Sequence, residues 1–136
     1  MAEGALLVDV AYGGGTALAQ AVDTTQPMVT ITDDEAATGN IAGGDITYTF
    51  TFSEAVTDFA VEDITVGGGV AGTFTALSDT VYTLAVTPTA GYEGNVSVDV
   101  AGAAAIDAVG NSSIEATQTV QAVDMLAPTP VLAIAD

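Results

Sequence analysis

The sequence predicts an all-β fold, an antiparallel β-sandwich of about seven short strands. Three observations carry this. Apolar residues recur with a period of two, clusters of Gly, Asp, Asn and Ser interrupt the apolar runs, and no segment shows the 3.6-residue spacing of an amphipathic helix. A strand that alternates in this way buries one face and wets the other. Several such strands in a row bury their apolar faces by packing as two sheets.

Taken in order, the first predicted strand is Met28–Thr32. The clearest is "DITYTFTFSE" (Asp45–Glu54), where Ile46, Tyr48, Phe50 and Phe52 alternate with Thr47, Thr49, Thr51 and Ser53. Asp63–Val66 and Gly72–Leu77 are weaker, and "GGGVAG" (Gly67–Gly72) reads as the turn between them. "TVYTLAVTP" alternates Tyr82, Leu84 and Val86; "NVSVDVA" supplies Val96, Val98 and Val100; Ala116–Val123 closes the set. Tyr92 falls just before the sixth strand, where immunoglobulin-like folds often hold a structural tyrosine.

The chain has 136 residues, 49 % of them hydrophobic, so it can bury a core. It has 18 acidic residues and no Lys, Arg or His, for a formal charge of −18. Nucleic acids and anionic lipid are repelled by such a chain. No apolar run reaches the 18 residues of a membrane span, so no membrane insertion is expected. "MAEGALLVDV" lacks the basic stretch of a signal peptide. The acidic, cysteine-free, Thr/Ala/Gly/Val-rich composition suits an exported bacterial protein, which would then be a piece of something larger or lack its leader.

Catalysis is not expected. Without His, Cys, Lys or Arg there is no Ser/His or Cys/His pair and no phosphate-binding lysine loop. A carboxylate pair can hydrolyse glycosides, but needs one acid held in an apolar cleft. These acids fall on polar loops.

The ends carry an internal repeat. "QAVDTTQP" (Gln20–Pro27) returns as "QAVDMLAP" (Gln121–Pro128), 101 residues on, and "EGALLVDVA" (Glu3–Ala11) echoes "EGNVSVDVA" (Glu93–Ala101). Three regions follow: 1–22, a tail like the last strands of a preceding repeat; 23–124, the sandwich; and 125–136, a linker and the first strand of a following repeat. A period near 100 residues means an array of whole domains rather than a solenoid.

"DTTQPMVTITDDEA", "YTFTFSEAVTDFAVEDITV", "YTLAVTPTAGYEGNVSVDVA" and "DAVGNSS" resemble the immunoglobulin-like tandem repeats of giant bacterial surface adhesins and biofilm-associated proteins. The resemblance implies an immunoglobulin-like sandwich, located extracellularly on the bacterial cell surface, whose partners are neighbouring repeats. It further implies a structural extender, stiffened by Ca²⁺ at or near the junctions, that holds a ligand-binding tip away from the cell. The N-terminal echo has no counterpart of "DAVGN".

Antiparallel alternation sorts the acids to two poles. The pole where the first strand begins receives Asp23, Glu54, Asp63, Asp107 and Asn111. The other receives Asp33, Asp34, Glu35, Asp45, Glu93 and Asp124. Two carboxylates about 4 Å apart repel by about 4 kcal/mol near a protein surface, and no side chain of this protein can offset that. Ca²⁺ takes six to eight oxygen ligands, and soft-metal sites need the absent His or Cys. The expected Ca²⁺ ligands are Asp33, Asp34, Glu35 and Asp124 in one group, and Glu54, Asp63 and Asp107 with Asp23 and Asn111 in another. Two other readings compete. The apolar tails could pair with further copies of the chain by strand exchange, giving a filament, or the sandwich could bind a glycan or a protein.

Overall fold

The computed structural model describes residues 21–40 and 43–127. Of the predicted tails, only Ala21, Val22 and Met125–Ala127 fall among them; the remaining tail expectations lie outside the described residues.

The strands are β1 (Val29–Asp33), β2 (Gly39–Asn40), β3 (Ile46–Phe52), β4 (Ile64–Gly67), β5 (Gly69–Ala76), β6 (Val81–Pro88), β7 (Glu93–Val100) and β8 (Thr119–Asp124). They form two four-stranded sheets, ordered β1-β3-β6-β5 and β2-β8-β7-β4. This is an immunoglobulin-like β-sandwich. All pairings are antiparallel except β2 with β8, where Gly39 lies opposite Val123 and Asn40 opposite Asp124.

The sandwich is the one expected, and this short parallel pair adds an eighth strand to it. After β1 the chain crosses to the other sheet and adds a two-residue strand at its edge. Two residues are too few to display an alternation. Gly39 permits the crossing, since a Cβ there would stand 3.1 Å from Val123 Cγ1. Two smaller differences concern the fourth and fifth strands. Asp63 belongs to a 3₁₀ turn, Val61–Asp63, that precedes β4. The glycine run turns at Gly68, with φ +74°, and Gly69 to Gly72 already lie in β5.

The core is what the period-two pattern implies. Ile46, Tyr48, Phe50 and Phe52 of β3 face Val96, Val98 and Val100 of β7 across the sandwich, and Tyr82, Leu84 and Val86 of β6 fill the space beside them. Burying each large apolar side chain is worth about 1.5–3 kcal/mol. Phe59, in the β3–β4 loop, makes edge-to-face contacts with Phe50, Phe52 and Tyr82 at centroid distances of 5.6, 5.0 and 5.1 Å. One ring thus nails a long loop to the core at one pole.

Tyr92 is structural. Its hydroxyl donates to the Asn95 carbonyl at 3.1 Å, three residues downstream. Its ring covers Gly68 and Gly94, where an added Cβ would lie 2.9 Å from ring or hydroxyl atoms.

Candidate metal centre

Three segments meet at the pole where β1 begins. The first is the entry segment before β1. Pro27 is fully buried, and its carbonyl accepts the Ile114 N–H at 3.0 Å. The Gln26 side chain donates to the Ser112 carbonyl at 2.9 Å. Met28 and Ser53 bond reciprocally, Met28 N–H to Ser53 Oγ at 2.9 Å and Ser53 N–H to the Met28 carbonyl at 2.8 Å. Asp23 is therefore presented on an anchored segment. Its Oδ1 accepts the Thr25 N–H at 3.0 Å.

The second is the β3–β4 loop. It leaves β3 at Phe52 and places Glu54 at once beside the entry segment. Thr57 and Ile106 exchange backbone hydrogen bonds of 2.8 and 3.1 Å, which ties this loop to the third segment, the β7–β8 loop.

In the β7–β8 loop, Asp107 is only 4 % exposed. Its Oδ1 accepts the N–H groups of Val109 and Asn111 at 3.0 and 2.8 Å, and its Oδ2 accepts Asn111 Nδ2 at 2.8 Å. The Asn111 amide also donates to the Asp23 carbonyl at 2.9 Å. The Ser113 hydroxyl, buried behind this turn, accepts the Ala105 N–H at 3.1 Å.

The outcome is that carboxylate oxygens of Asp23, Glu54 and Asp107 lie within 4.8 Å of one another. Among the described residues this is the one such group of three. Burial, the negative charges of Asp107 and Asp23, and a hydrogen bond to Asp107 together raise the Glu54 carboxyl above its ordinary value. Burial pushes Asp107 up as well, but hydrogen bonds from Asn111, Val109 and Gly110 outweigh it and hold the carboxyl below the usual range. The group thus pairs a firmly ionised carboxylate with one reluctant to ionise. Its donor atoms are all hard oxygens, the set that suits Ca²⁺.

The other expected ligands are placed differently. Asp63 Oδ2 accepts the Ala60 N–H at 2.9 Å and caps the 3₁₀ turn, outside the group of three. At the opposite pole, Asp33 Oδ1 accepts the Glu35 N–H at 3.0 Å, and Asp34 Oδ1 accepts the Thr47 N–H at 3.0 Å. Asp124 Oδ1 accepts the Leu126 N–H at 3.1 Å. Asp33, Asp34, Glu35 and Asp124 all lie at this pole, yet no three of them converge as Asp23, Glu54 and Asp107 do.

Two residues here carry roles that the sequence did not signal. Tyr48 reads as one more apolar position, but its buried hydroxyl has no hydrogen-bond partner. Burial, and then the charges of Asp33, Asp34 and Glu35, push that phenol up to about 12. Pro27, just ahead of the first predicted strand, is buried inside the sandwich.

A family model described as the bacterial Ig-like domain matches residues 23–123. No curated protein matches the chain.

Proposed function

The chain belongs to the bacterial Ig-like domain family, and from that premise we propose that it is a Ca²⁺-rigidified extender repeat of a large bacterial surface adhesin. It would act outside the cell, without catalysis, by spacing a ligand-binding tip from the surface. The observation that carries this reading is the meeting of Asp23, Glu54 and Asp107. Asp23 belongs to the segment by which the chain enters the sandwich, and the other two belong to loops of the sandwich itself. A cation held by all three would lock the entering chain to the domain and fix the angle at which the repeat departs from its neighbour. Without a cation the same three carboxylates repel one another.

Residues Asp23, Glu54 and Asp107 would hold the ion, with Asn111 orienting Asp107. Bound Ca²⁺ would supply the positive charge that the chain lacks. A site filled at 100 times its Kd contributes about 2.7 kcal/mol, a large share of the net stability of a small domain, about 5–15 kcal/mol. The test is a thermal melt of EDTA-treated protein during a CaCl₂ titration, with MgCl₂ as control. A Ca²⁺-selective rise is expected; an unchanged melting temperature would refute the reading.

Strand exchange between copies is the second reading. The observation in its favour is β5, an edge strand whose stretch Gly67–Ser78 carries no charge. Such an edge accepts an added strand. Glycan binding finds no comparable support, because none of the exposed large apolar residues among those described is aromatic.

A further inference from the structure

One pole of this domain carries an exposed apolar side chain and the other an open cleft. At the metal-site pole the Asp107 carboxylate binds the N–H groups of Val109 and Asn111, and Gly110 turns the chain with φ +96°. This fixed turn holds Val109 outward, 65 % exposed. At the opposite pole a cleft of about 350 Å³ opens between the β2–β3 loop and the β6–β7 loop. Its lining includes Gly44, Asp45, Pro88, Ala90, Gly91 and Met125. An added Cβ would meet nothing within 4 Å at Gly44 or Gly91, so the small residues leave it open.

The repeat brings these poles together. Asp23 and Asp124 occupy the same place in the recurring "QAVD". They also adopt the same local geometry, each carboxylate accepting the N–H two residues on, at 3.0 and 3.1 Å. In a tandem array Asp124 of one repeat would therefore stand where Asp23 stands in the next. A single aspartate would belong to both poles, which leaves no slack between them. Few residues separate it from the following β1, and each spans at most about 3.6 Å.

We propose that the cleft at Pro88, Ala90, Gly91 and Met125 receives Val109 of the following repeat, a second copy of this domain, in a contact that depends on Ca²⁺. This rests on the extender reading and adds the partner surface to it. The dependence on Ca²⁺ follows from charge: docking brings the carboxylates around Val109 toward Asp45 and Asp124, and no basic side chain lies in either surface.

The test uses a two-repeat chain in which residues 25–136 of a second copy follow Met125 of the first, which keeps the repeat spacing and the cleft's Met125. The protein has no cysteine, so engineered pairs report cleanly. Ala90→Cys in the first repeat with Val109→Cys in the second should form a disulfide in CaCl₂ at least tenfold faster than a Val120→Cys/Val109→Cys control, in which the first cysteine replaces an exposed β8 residue away from the cleft, and slow down in EDTA. Equal rates, or no 90–109 disulfide, would overturn the docking contact. Small-angle scattering of the cysteine-free pair separates the two ideas. A fixed, extended pair in Ca²⁺ without the 90–109 bond keeps the extender and removes this contact. A flexible pair in Ca²⁺ removes the extender itself. Val109→Asp in the second repeat should broaden the distribution of inter-repeat distances; no change would count against the contact.

Discussion

The Asn111 side-chain amide donates to the Asp107 carboxylate at 2.8 Å and to the Asp23 carbonyl at 2.9 Å. One amide therefore joins the β7–β8 loop to the segment that enters the domain. Asn111→Ala removes both bonds and leaves Asp107 with less support for its charge. Losing hydrogen bonds to a charged group costs about 1.5–3 kcal/mol. Urea unfolding should show a loss of that order in EDTA. An unchanged midpoint would mean that the amide positions nothing.

Glu54→Gln should change sign with Ca²⁺. In EDTA near neutral pH it removes one of three mutually repelling charges, so the melting temperature should hold or rise. In CaCl₂ it would remove a ligand of the proposed site, so the Ca²⁺-induced rise should shrink. Asp107→Asn should lower stability in both conditions, because it also disrupts the turn. Asp63→Asn is the control: the amide oxygen still accepts the Ala60 N–H, so stability should change little and the Ca²⁺ response should stay intact. Melts of the three variants with and without Ca²⁺ decide this.

The pH dependence follows from the same pair. Glu54 is raised in the folded state, so the folded protein holds its proton more tightly than the unfolded chain. That contribution is complete below the ordinary glutamate range and is lost as pH rises through the raised value. Asp107 is lowered, so its contribution is present above the ordinary aspartate range and is lost as pH falls through the lowered value. In EDTA, Glu54→Gln should therefore flatten the decline of stability on the alkaline side of the acid range. At the proposed site Ca²⁺ would compete with the Glu54 proton, so its affinity should rise with pH over that window. Calorimetric titration at several pH values would test this, and a pH-independent affinity would contradict it.

Tyr48→Phe removes a buried hydroxyl that has no partner. A buried polar group without a hydrogen bond costs about 1–3 kcal/mol, so the variant should be as stable as the parent or more so. In the parent protein the Tyr48 phenol should also resist titration until about pH 12, which absorbance at alkaline pH would read. A clear loss of stability in the variant would show that the hydroxyl holds a bound water or ion.

Phe59→Ala should cost about 3–5 kcal/mol, since the ring touches Phe50, Phe52 and Tyr82 and anchors the loop that carries Glu54. Stability and Ca²⁺ response should fall together. A large loss of stability with an unaltered Ca²⁺ response would separate the loop from the site.

The sequence by itself determined the layers, the core and the sorting of acids. Ile46, Tyr48, Phe50 and Phe52 face inward because period two leaves an apolar strand only one face to bury. Asp23 and Asp107 share a pole, and Asp33 and Asp124 the other, because antiparallel strands reverse direction at each turn. Tertiary structure alone decided which acids meet. Asp63 shares a pole with Glu54 but spends its carboxylate on the Ala60 N–H, whereas Asp23, far away in the chain, is brought in by Gln26, Pro27 and Asn111. The same holds for β2, for Phe59 as the anchor of a loop, and for the unpartnered hydroxyl of Tyr48. The physical reason is range. Alternation and turn chemistry act between near neighbours in the chain and can be read along it. A carboxylate's partner is fixed by hydrogen bonds and packing between residues many tens of positions apart, which no local pattern records.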